Sequence, residues 1–517
     1  MHIMINYQST NQLKIEDFKT PFTRKLRADN RWVILSQQVP WDRFAQVYMS
    51  VMSNQTGRAA KSPRLVLGAL IIKHLENLDD RGTIDAIQEN PYMQYFVGLE
   101  EFTTEQIFTP SLFVEIRKRV GAKHFDQLTV DMIKTLAEIK GKKSKSRSKK
   151  SDDDQKPRNK GKIKIDATVA DQYIPFPTDP SLLNESREKT EMMIDQLFRL
   201  IGKQGVKPRT YRKKIRKEWL SYNKNKNKSE KQIRKIKRVL LEAVARNLKH
   251  IDLLLDTIQR KQGMAFPLPA KTQKLLWVIR TVYDQQLMMF RKNVKSCPDR
   301  IVNIYQPHVR PIPRGKAKAK SEFGSKLGVS LDDGMARIDT FSWDAYNEST
   351  DLIKQVENYR EVHGHYPEVV LCDRIYANRT NRAYLSEKNI RITAPALGRK
   401  PVKTVLTAYR RRKLRKEAAQ RNAIEGKFGQ GKNGYNLNKI RARLRETSES
   451  WVACIFFVMN LLAMAGHLTF LYFLAMINHM DQVVKNFLSQ IMGFNWATVP
   501  SVIPMNESKM NVIFAKN

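Results

Sequence analysis

The stretch 421–432, RNAIEGKFGQGK, places a single carboxylate among several basic side chains. If this stretch is helical, Arg421, Glu425 and Lys432 lie at i, i+4 and i+11, which is one face of the helix. A carboxylate there can hold a hard divalent cation, while the flanking cations can hold phosphate oxygens of a nucleic acid backbone. The spacing favours phosphoryl-transfer chemistry. The alternative is a solvated helix face with an ordinary Arg–Glu pair.

Three glycines follow Glu425 in the same stretch, at positions 426, 429 and 431. Each weakens a helix by roughly 1 kcal/mol relative to alanine. We therefore expect another backbone or a ligand to approach this helix closely.

Two further acids belong to predicted strands. The segment KIKIDATVA alternates with period two, so Ile163 and Ile165 share one face and Asp166 lies on the other. The segment EVVLCD is a continuous apolar run that ends at Asp373, and an acid at the end of a buried strand opens onto a crevice. A lone aspartate on a strand is more often structural, so whether either acid is functional depends on its neighbours in space.

The charge of the chain indicates a polyanionic partner. The sequence has 92 Lys and Arg against 51 Asp and Glu, a formal charge of +41, with a pI near 10.1. Nucleic acid is the commonest partner for such an excess. The three cysteines have no zinc-like spacing and the N-terminus has no signal-peptide pattern, so we expect a cytoplasmic, nucleoid-associated protein.

One apolar stretch is long enough to cross a membrane. Residues 451–477 include no Asp, Glu, Lys or Arg over 27 positions. Asn460 and His467 interrupt the stretch, and it follows directly on the candidate helix of Glu425. We therefore predict a core helix, or two, and no membrane span. A membrane-anchored protein is the alternative.

The first 138 residues are predicted to form an all-α DNA-binding domain. Ser62 and Pro63 open an apolar helix, and Thr83 is the predicted cap of the next one. Short helices with tight turns suit a helix-turn-helix module, although a purely structural bundle is equally compatible. The Lys- and Ser-rich segment 139–162 then predicts a flexible basic linker.

A basic helical insertion is predicted at about 187–300. Between residues 201 and 240 there are 16 Lys or Arg and only two acids, Glu218 and Glu230. Apolar residues recur every three or four positions over 229–260, which predicts an amphipathic helix, and a second helix over 271–290 can pack back on it. We interpret the pair as an arm that lies on DNA; a solvated pair packed on its own protein is the alternative.

The remaining elements predict an α/β domain. A hairpin with its turn at Asp332 to Gly334 precedes a helix that Ser349 or Thr350 can cap and that Gly364 ends. The strand of Asp373, a short strand NIRITAPA and the helix of Glu425 follow. Without the insertion, this is the order of elements in a ribonuclease H-like domain.

Other acids near the site in sequence compete with these candidates. Asp332 and Asp333 are explained by their positions in a turn, and Glu348 by its position at the start of a helix. The full set is Asp171, Asp179, Asp332, Asp333, Asp339, Asp344 and Glu348. His363 and His365 lack further ligands for zinc, and surface positions are the more common outcome for such a pair.

Taken together, these blocks resemble the DDE transposases of bacterial insertion sequences, in the insertion-sequence-five or eleven-eighty-two group. The resemblance covers most of the chain and includes DATVA, PTDPSLLNESRE, RGKAKAKSEFGSK, SWDAYNES, DRIYANRTNR and LGRK. Arg421, Glu425 and Lys432 meet the R-x3-E-x6-K signature. The chain departs from the family at Ala418, where Tyr is usual, and after Asp373, where Gly-Tyr is the commoner pattern.

The resemblance implies that Asp166, Asp373 and Glu425 are the catalytic, metal-binding triad. It implies two Mg²⁺ ions, with Mn²⁺ as a substitute, that serve cleavage of DNA at the element's terminal inverted repeats and strand transfer into target DNA. Arg421 and Lys432 would position phosphates. Weaker candidates for DNA-backbone contacts are Lys427, Arg399, Arg314 and Lys316.

The resemblance also implies an assembly and a domain plan. A homodimer on DNA is expected, with a ribonuclease H-like catalytic domain at 163–480, interrupted by the helical insertion, and a C-terminal tail at 481–517. Two alternatives remain for the function. They are a catalytically inactive DNA-binding relative and a nuclease of the same fold without strand transfer.

Overall fold

The computed structural model describes residues 18–20, 25–52, 60–145, 159–202, 205–264, 267–316, 319–394 and 408–467. Its first part is helical, as predicted. The helices are α1 (Arg31–Gln38), α2 (Trp41–Ser50), α3 (Pro63–Leu75), α4 (Asp80–Glu89), α5 (Pro91–Phe96) and α6 (Ser111–Lys145). The backbone of α6 leaves helical geometry at Gly121, where φ is 63°.

The start of α3 agrees with the sequence, whereas the start of α4 does not. Pro63 occupies the first turn of α3, where its missing N–H costs no hydrogen bond. Thr83 does not cap α4, because the helix already begins at Asp80. The cap is Asp79, whose carboxylate accepts a hydrogen bond from the Gly82 N–H.

Four helices lie between the first strand and the rest of the sheet. After β1 (Lys162–Asp171) come α7 (Asp179–Leu200), α8 (Arg212–Lys224), α9 (Glu230–Gln262) and α10 (Ala270–Lys292). The predicted amphipathic helix is confirmed as α9, which begins with a capping box formed by Ser229 and Gln232. Its apolar face packs against α7 and α10.

A six-stranded sheet forms the centre of the α/β part. Its other strands are β2 (Arg310–Lys316), β3 (Ala319–Asp332), β4 (Met335–Ser342), β5 (Val369–Leu371) and β6 (Arg391–Ile392). β3 pairs antiparallel with β1, β2 and β4, while β5 lies parallel to both β1 and β6. The predicted turn of the β3–β4 hairpin is confirmed, with positive φ at Asp333 and Gly334.

The strand β2 was not predicted from the sequence. Its prolines at 311 and 313 argue against a central strand, since proline donates no hydrogen bond to a ladder. In the structure β2 pairs with β3 alone, and an edge strand tolerates proline.

Helices cover both faces of the sheet. They are α11 (Leu352–His363), α12 (Arg379–Glu387), α13 (Ala408–Gly434) and α14 (Arg445–His467). A short 3-10 helix, Glu348–Asp351, precedes α11. The cap there is Asn347, which accepts from the Ser349 N–H, rather than the predicted Ser349 or Thr350. Gly364 ends α11 with φ 74°, as predicted.

The helix α14 lies inside the largest hydrophobic core. All residues from Trp451 to Leu461 are buried, and they pack with α2, α3, α6 and the inner face of β3 and β4. Asn460 hydrogen-bonds both the N–H and the C=O of Ala336 on β4, at 2.8 and 2.6 Å. In the part of the chain that the structure describes, α14 is the one helix long and apolar enough to cross a membrane. Residues 468–477 of the predicted apolar stretch lie outside that part.

Candidate active site

Asp166 lies on β1, on the sheet face opposite Ile165, and its Oδ1 accepts a hydrogen bond from the Ala167 N–H at 2.8 Å. The side chain is half-buried. Burial raises the pKa of the Asp166 carboxyl to about 6. The charges of Glu348 and Asp373 raise it further, while the cation of Arg421 lowers it. The Asp166 carboxyl therefore has two acids and one cation near it.

Asp373 lies two residues beyond β5 and is exposed. It caps the 3-10 helix Arg374–Tyr376, and its Oδ1 accepts from the Arg374 N–H at 2.7 Å. Because β5 runs parallel to β1 and beside it, Asp373 comes to the crevice at the carboxyl end of the sheet, where ligands bind in α/β folds. The fold thus brings Asp166 and Asp373 together from positions about 200 residues apart in sequence.

Arg421 and Glu425 both lie on α13, so the predicted helix is confirmed. The Arg421 guanidinium contacts the Glu425 carboxylate at 3.2 Å, and the Glu425 side chain is 56% exposed. Arg421 also acts electrostatically on Asp166 and on Cys372, next to Asp373. Arg421 therefore contacts the carboxylate of α13 and also acts on the Asp166 carboxyl of the sheet.

The three predicted catalytic acids do not form a closed ligand set. Among the residues that the structure describes, no three His, Cys, Asp or Glu side chains lie close enough to hold a metal ion. Asp166 and Asp373 influence each other, while the described contact of Glu425 is with Arg421. The donor set still suits a divalent cation, because carboxylate oxygens are hard ligands.

The predicted phosphate contacts differ in their surroundings. Lys432 lies near the end of α13 and its ammonium contacts Glu322 of β3 at 3.3 Å. Lys427 is buried, and its amine donates to the Met459 C=O of α14 at 3.5 Å. Burial lowers the pKa of Lys427 to about 8. A DNA-backbone contact does not suit Lys427, because its amine faces the core.

The structure does not describe the side chains of the other three predicted DNA contacts. Arg399 lies outside the described residues. Arg314 and Lys316 lie on the edge strand β2, where the backbone is described and the side chains are not. These three residues stay predictions.

The three glycines after Glu425 have different environments. A Cβ at Gly431 would lie 3.2 Å from Leu437 and 3.5 Å from Met459, so close packing explains this glycine. A Cβ at Gly426 or Gly429 would meet no atom within 4 Å. Close packing by protein therefore explains Gly431, whereas at Gly426 and Gly429 the approach of a ligand stays a prediction.

Most of the competing acids have partners elsewhere. Asp179 bonds Lys237 and Arg300, which ties α7 to α9 and α10. Asp332 contacts His363 at 3.0 Å, so this histidine packs beside the hairpin turn.

Glu348, also among the competing acids, pairs with the Lys326 ammonium at 2.9 Å. It lies in the segment SWDAYNES, where the start of a helix was a sufficient explanation. In the structure its carboxylate raises the pKa of Asp166. The signal that could have found it is a third acid that follows the hairpin and precedes the strand of Asp373.

Two regions of the chain match families of known proteins. Residues 370–462 match a family described as "Transposase DDE domain", and residues 21–119 match "Transposase domain (DUF772)". The first match includes Asp373 and Glu425, whereas Asp166 lies outside both.

A relative from Rhizobium meliloti, described as "Uncharacterized protein ORF8 in nfe locus", is 29% identical over 150 residues. The match covers 29% of this chain and 66% of the relative, slightly less than two thirds of its length. No solved structure matches. The two matched transposase regions together indicate a DDE transposase.

Proposed function

We propose that the protein cuts DNA at the ends of an insertion sequence and joins the freed ends to target DNA, with Asp166, Asp373 and Glu425 as the catalytic carboxylates. The observation that carries the proposal is the placement of Asp166 on β1 and of Asp373 just beyond the adjacent parallel strand β5, with Arg421 of α13 acting on the Asp166 carboxyl. Carboxylates from separate elements beside a cation suit the transfer of a phosphoryl group.

The proposed fold is ribonuclease H-like. The strand order β4-β3-β1-β5-β6, with antiparallel pairing up to β1 and parallel pairing beyond it, supports this assignment. The helices α7 to α10 are then an insertion between β1 and β2. The domain plan follows, with a DNA-binding part at 1–138, a linker at 139–162 and a catalytic part at 163–480. The sequence blocks support the insertion-sequence-five or eleven-eighty-two group.

Two Mg²⁺ ions, for which Mn²⁺ can substitute, would supply activation of the attacking hydroxyl and stabilisation of the leaving oxygen. Asp166 and Asp373 would hold them from the sheet. Glu425 would complete the set from α13 once its carboxylate leaves Arg421, and the 56% exposure of its side chain leaves room for that change. Arg421, freed from Glu425, would then bind a DNA phosphate.

The two reactions are the same chemistry with different nucleophiles. In the first, water attacks a phosphodiester at the element's end, which leaves a 3′-hydroxyl and a 5′-phosphate. In the second, that 3′-hydroxyl attacks a phosphodiester of the target and displaces a target 3′-oxygen. Lys432, held by Glu322, is placed to neutralise backbone charge near α13.

The proposed partners are the terminal inverted repeats and the target DNA, held by a homodimer. Strand transfer joins two ends, so two copies of the site are needed. The basic surface of α8 and α9 would add contacts to DNA phosphates, because most of its Lys and Arg side chains are exposed. A cytoplasmic, nucleoid-associated location without membrane insertion fits these partners.

The test is Mg²⁺-dependent cleavage and joining of a labelled DNA that carries the element's own ends. Asp166→Ala, Asp373→Ala and Glu425→Ala should each abolish both reactions and retain DNA binding. Asp284→Ala and Glu361→Ala remove exposed acids on α10 and α11 and should act like wild type.

Three other outcomes would contradict parts of the proposal. Cleavage without joining indicates a nuclease. Binding without either reaction indicates an inactive relative, and the Arg421–Glu425 contact is the feature that favours it. Full activity of one Ala variant would remove that acid from the triad.

A further inference from the structure

The N-terminal half of α13 is basic and contains one buried acid. Residues 408–424 include seven Lys or Arg and a single acid, Glu417. Residues 411–416 are exposed, whereas Glu417 is only 2% exposed. Among the residues of α13 before Ile424 whose burial the structure describes, Glu417 alone is buried. A carboxylate is almost never fully buried without a partner, so the burial of Glu417 requires an explanation.

The partner of Glu417 is Arg391 of β6. The Arg391 Nη1 donates to Glu417 Oε2 at 2.9 Å, and the Arg391 Nη2 donates to Glu417 Oε1. Such a bidentate pair is stronger and more directional than a single hydrogen bond. Beside it, the Lys162 ammonium of β1 donates to the Gln420 Oε1 at 3.2 Å. Two side-chain contacts therefore join the basic half of α13 to the sheet.

The two contacts reach one row of residues across the sheet. Lys162 on β1 lies opposite Val369 on β5, and Val369 lies opposite Arg391 on β6. Asp166 follows Lys162 by four residues, and Asp373 follows Val369 by four residues. The row that holds α13 is therefore separated from both sheet carboxylates by the same length of strand, about 13 Å.

The helix α13 follows β1 in the direction of that strand. Its earlier contact is with Lys162 at the start of β1. Its later contact is from Lys432 to Glu322 of β3, which lies close to the position opposite the end of β1. From Glu417 to Glu425 a helix rises about 12 Å. Because this rise matches the length of strand, the contacts at Glu417 set Glu425 at the level of the two sheet carboxylates.

The basic half of α13 needs such an anchor more than the second half does. Ile424 and Phe428 belong to the largest core, so apolar packing holds the helix from Ile424 onward. The half that includes Arg421 lacks this packing in the part of the chain that the structure describes. Its cations repel one another and are attracted to DNA phosphates. The ion pair at Glu417 opposes both forces.

We propose that Glu417 and Arg391 are positioning residues of the active site. Their ion pair holds the basic half of α13 against the sheet while DNA is bound, and it thereby keeps Glu425 at the level of Asp166 and Asp373. The inference rests on the proposed function, because it assumes that these three acids serve DNA cleavage.

The test is single-turnover, Mg²⁺-dependent cleavage by the full chain of a labelled DNA that carries the element's own ends. Glu417→Gln keeps the size of the side chain and removes the ion pair. It should slow cleavage by about tenfold to a hundredfold, as expected when a catalytic group is displaced by about 1 Å. The Kd for DNA should change by less than about twofold, because no basic residue is removed. Glu387→Gln, the same change at an exposed acid of α12 that pairs with Lys388, should cleave like wild type.

Two further variants separate positioning from a general loss of structure. Arg391→Lys keeps the charge and loses the bidentate geometry, so its cleavage rate should lie between those of wild type and Glu417→Gln. The double variant Arg391→Glu/Glu417→Arg rebuilds the pair in reverse and should recover most of the rate that either single change loses. A purely structural role predicts instead that DNA affinity falls together with the rate.

Hydrogen exchange measured by mass spectrometry checks the anchor without any activity. In Glu417→Gln, the backbone amides of residues 411–421 should exchange faster than in wild type, because the basic half of α13 opens locally. The amides of residues 424–434 should exchange as in wild type, since the core still holds that half of the helix.

The outcomes distinguish this inference from the proposed function. If the wild-type chain cuts DNA and Glu417→Gln cuts it equally fast, the positioning role is wrong and the proposed function stands. If the wild-type chain does not cut DNA, both proposals are wrong. Unchanged exchange over residues 411–421 overturns the anchor, whatever the cleavage rates are. If Glu417→Gln fails to fold, Arg391→Lys decides, and a wild-type cleavage rate in it overturns the inference.

Discussion

At the scale of single residues, burial sets the properties of the acids around the sheet. Asp339 on β4 is buried, and its Oδ1 accepts from Asn358 of α11 at 2.8 Å, while its Oδ2 has no hydrogen-bond partner. Burial raises the pKa of Asp339 to about 6, although Asn358 and Arg337 lower it. Asp339 thus resembles Asp166 in its pKa, but it lies on the face of the sheet that α11 covers.

The raised pKa of Asp339 predicts that the stability of the folded protein depends on pH. Its folded pKa of about 6 lies above the ordinary value of 3.8, so the folded state binds the proton more tightly. The proton on Asp339 contributes up to about 3 kcal/mol to the free energy of unfolding. This contribution is fully present below pH 4 and is lost as the pH rises through 6. Asp339→Asn should therefore raise the unfolding midpoint at pH 7.5 and change it little at pH 4.

The measurement is thermal unfolding of both proteins from pH 4 to 8. Asp344→Asn serves as the control, because the Asp344 side chain is 71% exposed. An Asp339→Asn variant that is equally destabilised at every pH would contradict the raised pKa.

Single residues also mark what sequence alone can and cannot predict. The positions of Asp373 and Glu425 were predictable because each has a local signature, a strand end and an i, i+4 pair with Arg421. Glu348 and Lys427 were not, since their roles depend on contacts with distant elements. Glu348 is fixed by Lys326 on β3, and Lys427 is buried against Met459 of α14. Local pattern gives no information on either contact.

At the scale of elements, periodicity predicted the long helices and failed at short or unusual ones. The 3.6-residue period and caps identified α9, and Gly364 identified the end of α11. The edge strand β2 was missed because its prolines exclude only a central strand. The strand β6 keeps only Arg391–Ile392 of the predicted NIRITAPA, since its partner β5 is itself only three residues long.

The helix α8 offers a test of the basic surface. Lys213, Lys217 and Lys224 are exposed and lie within about 40° of one another around the helix. If this face contacts DNA phosphates, replacing all three with Gln should reduce the slope of log Kd against log salt by about 2–3. The measurement is fluorescence anisotropy with a labelled duplex at several salt concentrations.

A control triple variant removes the same charge elsewhere. Lys354 and Arg360 are exposed on α11 and Arg443 is exposed just before α14, all outside the proposed DNA-contacting regions, and Gln at these three positions should leave the slope nearly unchanged. Equal slopes for the two triple variants would mean that net charge, and not the α8 face, governs DNA binding.

At the scale of the whole molecule, the N-terminal helices and the α/β part share one core. Phe457 of α14 packs against Phe44 of α2 and Phe125 of α6, with ring centroids 5.0 and 5.6 Å apart. Trp451 packs edge-on against His74 of α3, and the Lys73 ammonium lies 4.3 Å from the centroid of the Trp451 ring. The proposed linker at 139–162 therefore divides the chain in sequence and not its hydrophobic core.

This shared core predicts how the molecule responds to a break in the chain. With a protease site placed between residues 146 and 158, cleavage should leave two fragments that elute together on gel filtration, because the α14 surface stays covered. The fragment from 159 onward, produced alone, should expose that surface, bind a hydrophobic dye and melt without a cooperative transition. Phe457→Ala in the nicked protein should weaken the association of the fragments, since it removes contacts to both α2 and α6. If the two fragments separate and each melts cooperatively, the N-terminal helices are an independent domain and α14 is stable without them.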